Sequence, residues 1–250
     1  MGEGDSGRFD KYQRCGAYHW DALSSSVRDH NAITAARYRQ VLAVCGPVEG
    51  RVVLDVGCGD AKLDAMLAQA GARLVVGVDN ERTGIDVGRR RIAAECGTKT
   101  RRRITLCCAD AYQLPVRAGT CDIVIMTEII EHLSDPLRFV QEASATLSAE
   151  GVLVITTPYR TTEVPLDEND LRHFYPGELR RLIEGMFEDV EIRLSDPLWI
   201  VQLYTMGGWA RSFRWIVNGL SIFAGTNVFL MCPPGRYAGQ ITVIARRPTR

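Results

Sequence analysis

At 250 residues, 46% of them apolar and 24% charged, the chain can bury the core of one soluble α/β domain plus a modest appendage. Thirty basic residues balance thirty acidic ones, and that neutrality argues against a dedicated nucleic-acid binder; the arginine runs at 89–91 and 101–103 read as a solvated face. The eight cysteines contain no C-x-x-C pair, which argues against a zinc ribbon or thioredoxin-type site and suits a reducing, cytoplasmic setting.

Residues 1–16 read as a polar, loosely attached lead with no apolar secretory stretch, and their Met-Gly-x-x-x-Ser start as a chance match to a myristoylation signal. The spacing predicts a helix over 18–42, with Ile33, Ala36, Val41 and Val44 on a broad apolar face, ended by the break at 45–50. From there strands and helices alternate. Strands are predicted at 51–56, 73–78, 104–108, 122–126, 152–156, 190–194 and 240–245. Helices are predicted at 61–70, 84–95, 136–147 and 176–184, the third opened by Ser134-Asp135-Pro136. Near-continuous apolar strands joined by helices imply a doubly wound, mostly parallel sheet covered on both faces. The expected division is a lead with lid helices over 1–45, a core over 46–197, an apolar insert over 198–236 and a last strand within 237–250 that completes the sheet.

Ligands of such sheets bind beyond the carboxyl ends of the strands. After the first strand stands Leu54-Asp55-Val56-Gly57-Cys58-Gly59-Asp60-Ala61, where Gly57 and Gly59 permit a tight turn and close approach of a ligand to the backbone. Asp55, inside the strand, can meet a cationic ligand or orient the loop. A dinucleotide fingerprint needs a third glycine where Lys62 stands, which counts against a nicotinamide-dependent oxidoreductase. The second strand ends at Asp79-Asn80, placed to accept ribose hydroxyls, and the third at Asp110-Ala111, where the acid can meet an adenine amino group.

The ordered segments VLDVGCGDAKLD, VVGVDN, ADAYQLP, CDIVIMTEIIEHLSDP and LSAEGVLVITTPY resemble the motif set of class I S-adenosylmethionine (SAM)-dependent methyltransferases over roughly 52–159. The resemblance implies a Rossmann-like sheet of seven strands with an antiparallel last one, supplied here by 240–245. It implies that Asp55, Gly57 and Gly59 line the methionine end of SAM, that Asp79 and Asn80 take the ribose, that Asp110 and Ala111 read adenine, and that Thr127 borders the site. The usual Gly-x-Gly-x-Gly loop has Ala61 at its last position.

Methyl transfer needs an aligned acceptor and a base more than covalent catalysis. The candidates are Glu128, Glu131 and His132, which share one face if a helical turn follows the fourth strand, with His173 before the next helix. These four could hold a divalent cation, and Glu-x-x-Glu-His with a distal histidine resembles small-RNA 3′-terminal 2′-O-methyltransferases and ubiquinone-pathway O-methyltransferases. The favoured arrangement lacks a metal: the acids orient the loop and His132 acts as base. Tyr18-His19-Trp20 is an aromatic cluster that fits a lid over the cofactor or core packing. The apolar insert, with Trp199, Tyr204, Trp209, Trp215 and Phe223, is too interrupted to span a membrane; it fits a core layer or homodimer face better than an acceptor pocket or a helix lying on lipid.

The expected function is transfer of the SAM methyl to a hydroxyl of a small natural-product, sugar or quinone-like acceptor. Nucleic acid is not expected as a partner. An RNA-terminal 2′-O-methyltransferase ranks second, and a non-catalytic SAM-binding subunit is the reading outside catalysis.

Overall fold

The computed structural model describes residues 11–161, 170–208, 210–233 and 235–249. The first part of the expected lead, 1–10, and Trp209 lie outside these residues. Seven strands form the sheet: β1 Val52–Val56, β2 Leu74–Asp79, β3 Ile104–Cys108, β4 Cys121–Thr127, β5 Leu147–Pro158, β6 Phe187–Pro197 and β7 Ala238–Pro248. Their order is β3-β2-β1-β4-β5-β7-β6. The pairs among β1 to β5 are parallel, and β7 runs antiparallel between β5 and β6. The chain is thus a Rossmann-like α/β fold, with β1 and β4 adjacent where the winding reverses.

Alternate residues of the central strands bury against different helices, as the period of two requires. Leu54, Val56, Val124 and Met126 pack with α7 (Pro136–Ala145) and α8 (Pro176–Ile183). Val53, Val75, Ile123 and Ile125 pack instead with α3 (Ala32–Val44) and α4 (Lys62–Gln69). Near the β3 edge, α5 (Arg82–Glu95) contributes Ile92 to a smaller cluster with Trp20, Ala61 and Ala65. A short α6 (Thr98–Arg101) leads into β3.

The N-terminal region departs from the expected single helix. α1 (Lys11–Cys15) and α2 (Tyr18–Ala22) are short, and the chain leaves helical form before α3 begins at Ala32. The cause is local. Asn31 is extended, and its side-chain oxygen accepts the amides of Ile33 and Thr34, which makes it an N-cap that starts a new helix. The residues before α2 are also not wholly loose, because Tyr12 of α1 is buried to 5% exposure.

The insert forms two helices, α9 (Leu198–Thr205) and α10 (Ala210–Phe223). Ile200, Tyr204, Val217 and Phe229 pack on Ala32 and Ala36, so this layer rests on the start of α3. Buried polar groups fix the joint. The Asn218 amide donates to the carbonyls of Val27 (2.8 Å) and His30 (2.7 Å), Tyr204 donates to Asn218 Oδ1 (2.7 Å), and Asn227 donates to Ala32 O (2.7 Å). Each would cost free energy if left unpaired, so together they specify one docking geometry.

Candidate functional site

The turn after β1 is held in the conformation its glycines allow. Gly57 and Gly59 have φ of 81° and 55°, and Ala61 has φ of 58° despite its Cβ. The amides of Gly57 and Cys58 donate to Val78 O at 2.7 and 3.1 Å, which ties the turn to the end of β2. There the Asp79 carboxylate accepts from Gly59 N through Oδ2 and from Glu81 N through Oδ1, both at 2.8 Å. Burial raises the Asp79 carboxyl, while the hydrogen bonds from Glu81 and Gly59 oppose that rise.

Asp110 and Asn80 are exposed at the ends of β3 and β2, with Ala111 half-buried beside them. Asp110 Oδ1 accepts Tyr112 N at 2.9 Å, which fixes the bend that follows β3. Thr127 closes β4, and its hydroxyl is buried with no hydrogen-bond partner among the described residues. Gly57, Gly59, Asp79, Asp110 and Thr127 therefore follow or close neighbouring strands at their carboxyl ends. A glycine turn, a buried acid and an orphaned hydroxyl suit a polar ligand with a hydroxylated ring.

Asp55 does not face that ligand side. It lies on the same sheet face as Val53 and meets Asp64 of α4 in the interior, both fully enclosed. Burial drives both carboxyls up, Asp55 to about 7, with the hydrogen bond from Asp64 working the other way on Asp55. Two buried acids side by side favour a protonated carboxyl, beneath the strand-to-helix turn.

The segment of α1 and α2 is anchored by a residue of the loop itself. Asp60, 0% exposed, accepts the amide of His19 (2.8 Å) and faces its Nδ1 (3.2 Å), while its carbonyl receives the Trp20 indole N–H (2.7 Å). Lys62 sits with its ammonium 4.1 Å from the centre of the Trp20 ring. Tyr12, which the sequence did not single out, lays its ring over Gly59 and Gly84; a Cβ on Gly59 would overlap its hydroxyl.

At the acceptor end the structure separates the expected quartet. Glu128, with φ of 52°, points to Arg37 of α3 (3.1 Å), and it accepts from Gln240 (2.6 Å) and Thr156 (3.0 Å). A side chain so engaged, on a strained backbone at the switch point, holds α3 and β7 against the end of β4. Glu131 is buried to 1% exposure and accepts from Thr157 at 2.9 Å; burial, with Glu128 nearby, pushes its carboxyl up to about 8.

His132 and His173 meet through a residue absent from the expected set. Asp170 stands 3.1 Å from His132 Nδ1 and 2.8 Å from His173 Nε2. Burial pushes the Asp170 carboxyl up, but the hydrogen bonds from both imidazoles outweigh it and hold the acid below its ordinary value. An ionised carboxylate only accepts, so each histidine must donate from the nitrogen that faces it. Glu131, His132 and Asp170 offer ligand atoms that all lie within 4.8 Å of one another. Beside them, Ser134, Arg160, Leu171, Arg172 and His173 line part of a groove of about 650 Å³.

Comparison with known proteins adds the decisive observation. The family described as "Methyltransferase domain" matches residues 54–155, which hold every expected cofactor-side residue and the Glu-x-x-Glu-His segment. A ubiquinone biosynthesis O-methyltransferase of Actinobacillus pleuropneumoniae serotype 7 (strain AP76) is 31% identical over 157 residues. Residues 54–155 thus carry a methyltransferase domain of the class I SAM-dependent type.

This methyltransferase matches the Actinobacillus relative over 63% of its own length and spans just under two thirds, 66%, of that relative. Two solved structures share its fold. A SAM-dependent methyltransferase from Aquifex aeolicus has a TM-score of 0.55 and 17% identity, covering 84% of this chain and 89% of that one. Phosphoethanolamine N-methyltransferase 2 of Haemonchus contortus, solved with SAM, has a TM-score of 0.65 and 17% identity over 96% of this chain and 60% of that one. The cofactor of the family is SAM, and the unpartnered Thr127 hydroxyl and the acid at the end of β2 fit it.

Proposed function

We propose that this methyltransferase moves the methyl group of SAM to a hydroxyl oxygen of a small-molecule acceptor, with His132 as the base. SAM supplies an activated methyl on its sulfonium. What the protein adds is position and a place for the acceptor's proton. Asp79, Asn80, Asp110 and Ala111 would hold the nucleoside, and the turn at Gly57 and Gly59 would meet the methionyl portion, with Thr127 at its border.

The observation that carries the reading is the contact between Asp170 and His132 Nδ1. It fixes the neutral imidazole with its proton on Nδ1, which makes Nε2 the basic nitrogen. As a hydroxyl attacks, the proton passes from the acceptor oxygen to Nε2, and Asp170 stabilises the imidazolium. Glu131, kept protonated by burial at neutral pH, and Glu128, engaged by Arg37, shape the loop that carries His132. The O-methylating relative supports a hydroxyl acceptor over an amine.

Replacing His132 by alanine is expected to lower turnover about 10²–10⁴-fold while SAM affinity, read by calorimetry, stays within about twofold. Asp170→Asn should lower turnover less and move the acidic limb of the pH–rate profile. Unchanged turnover in His132→Ala would refute the base.

The grouping of Glu131, His132 and Asp170 supports a second reading, in which a divalent cation binds there and lowers the pKa of the acceptor hydroxyl. Loss of turnover on chelation, restored by Mg²⁺ or Zn²⁺ and absent in Asp170→Asn, would select it over the metal-free route.

A further inference from the structure

The insert between β6 and β7 carries a feature that methyl transfer does not use. α10 exposes Trp215, Ile216, Leu220 and Phe223 along one side, with Ile216 62% and Phe223 78% exposed. The spacing 216, 220, 223 keeps these on one helical face. The opposite face, with Val217, Asn218 and Ser221, is fully buried against the body of the protein, so the exposed face is held rigidly outward. The helix that packs against it, α9, exposes Trp199 at 63%, and Leu230 and Met231 are exposed just beyond α10.

The insert's own charge has one sign. In a chain of zero net charge, residues 197–250 contain no aspartate or glutamate, and the insert's charged residues are Arg211, Arg214 and Arg236. Arg211 is exposed and Arg214 half-buried on the first turns of α10, and Arg28 stands 6.0 Å from the Trp215 ring centre. Asp29, beside Arg28 in sequence, offsets part of this charge. No helix among the described residues is long and apolar enough to cross a membrane.

We infer that the exposed face of α10, flanked by Arg211 and Arg28, docks on an anionic lipid surface. Tryptophan and phenylalanine beside arginine are the side chains that settle at the headgroup boundary, and a fixed amphipathic helix presents them without further ordering. A second copy of the chain fits less well. Two such faces brought together would oppose arginine to arginine with no acid in either insert to pair them. The insert leaves the carboxyl end of β6 and returns to β7, on the same side of the sheet as His132, so docking would set the acceptor end toward the lipid.

The test is flotation of the full chain with vesicles of phosphatidylcholine alone or with phosphatidylglycerol. Recovery with the anionic vesicles is expected to exceed that with neutral ones about tenfold or more, to fall with added salt, and to be accompanied by a blue shift of tryptophan emission. Joint replacement Ile216→Ser, Leu220→Ser and Phe223→Ser should lower recovery at least about tenfold with SAM binding unchanged, since these side chains face solvent. Arg211→Gln with Arg28→Gln should remove the preference for anionic vesicles. The inference is overturned if the wild-type chain stays unbound with anionic vesicles, or if the triple-serine protein floats as well as wild type. It is equally overturned if sedimentation shows a dimer that the serine replacements dissolve while lipid binding is absent.

Discussion

Asp79 is the residue on which the cofactor end turns. Both its oxygens already accept backbone amides, from Gly59 and Glu81, so the acid sets the shape of the glycine turn beside its proposed role on the ribose. Asp79→Asn would turn an amide N–H₂ toward one of those donors and remove the charge. SAM affinity measured by calorimetry should fall about tenfold or more, the scale of a charged hydrogen bond lost; unchanged affinity would place the ribose elsewhere. Asp55 tells a different story at the same scale. Burial raises it to about 7, against an ordinary unfolded value of about 4, so the folded chain holds a proton that the unfolded chain has released. The sign follows: this contribution to stability is complete below about pH 4 and is lost as pH rises toward 7. In Asp64→Asn the amide can donate to Asp55 without a titrating proton. Denaturation midpoints should then vary less between pH 5 and pH 8 than in wild type, and an unaltered slope would exclude the pair as its source.

The elements explain why some of the site could be read from the sequence and some could not. Glycines 57 and 59, Asp79 and Asp110 lie on short turns directly after apolar strands, so local pattern and strand ends suffice to place them. Tyr12, Arg37, Asp170 and Gln240 reach the site from other elements, and no periodicity in the chain marks such long-range partners. The helix expected over 18–42 was misread because apolar spacing continues across the break, whereas the signal that ends it is a single cap, Asn31. Another unread feature is the close approach of α5 to the glycine turn. A Cβ on Gly88 would stand 2.7 Å from the Asp60 carbonyl oxygen and 3.0 Å from the Ala61 Cβ, backbone and buried methyl that cannot swing away. Gly88→Ala should therefore destabilise the fold by about 1–3 kcal/mol, outweighing the helix propensity it gains. Gly219→Ala in α10, where a Cβ meets nothing within 4 Å, should stabilise by up to about 1 kcal/mol. Urea denaturation of the two variants distinguishes packing from propensity, and equal effects would contradict the close approach.

Across the whole molecule, the sheet divides the labour. Its carboxyl edge carries the glycine turn and the acids on the β2–β3 side of β1, and the His132–Asp170–His173 cluster follows β4 and β5 on the other. The helices α1 and α2 pack on the first through Asp60, and the insert of α9 and α10 rises beside the second, fixed by Asn218 and Asn227. The insert's exposed apolar side chains were visible in the sequence as composition only; which residues turn outward depends on the buried contacts of Tyr204 and Val217 with α3. The proposed work of this scaffold is delivery of a methyl group to oxygen. The most direct measurement is mass spectrometry of hydroxylated small-molecule acceptors incubated with methyl-labelled SAM, wild type beside His132→Ala. The label is expected on an acceptor oxygen, with S-adenosylhomocysteine released in equal amount, and is expected to be lost in the variant. Tight SAM binding without label transfer to any acceptor, or label on nitrogen or carbon, would contradict it.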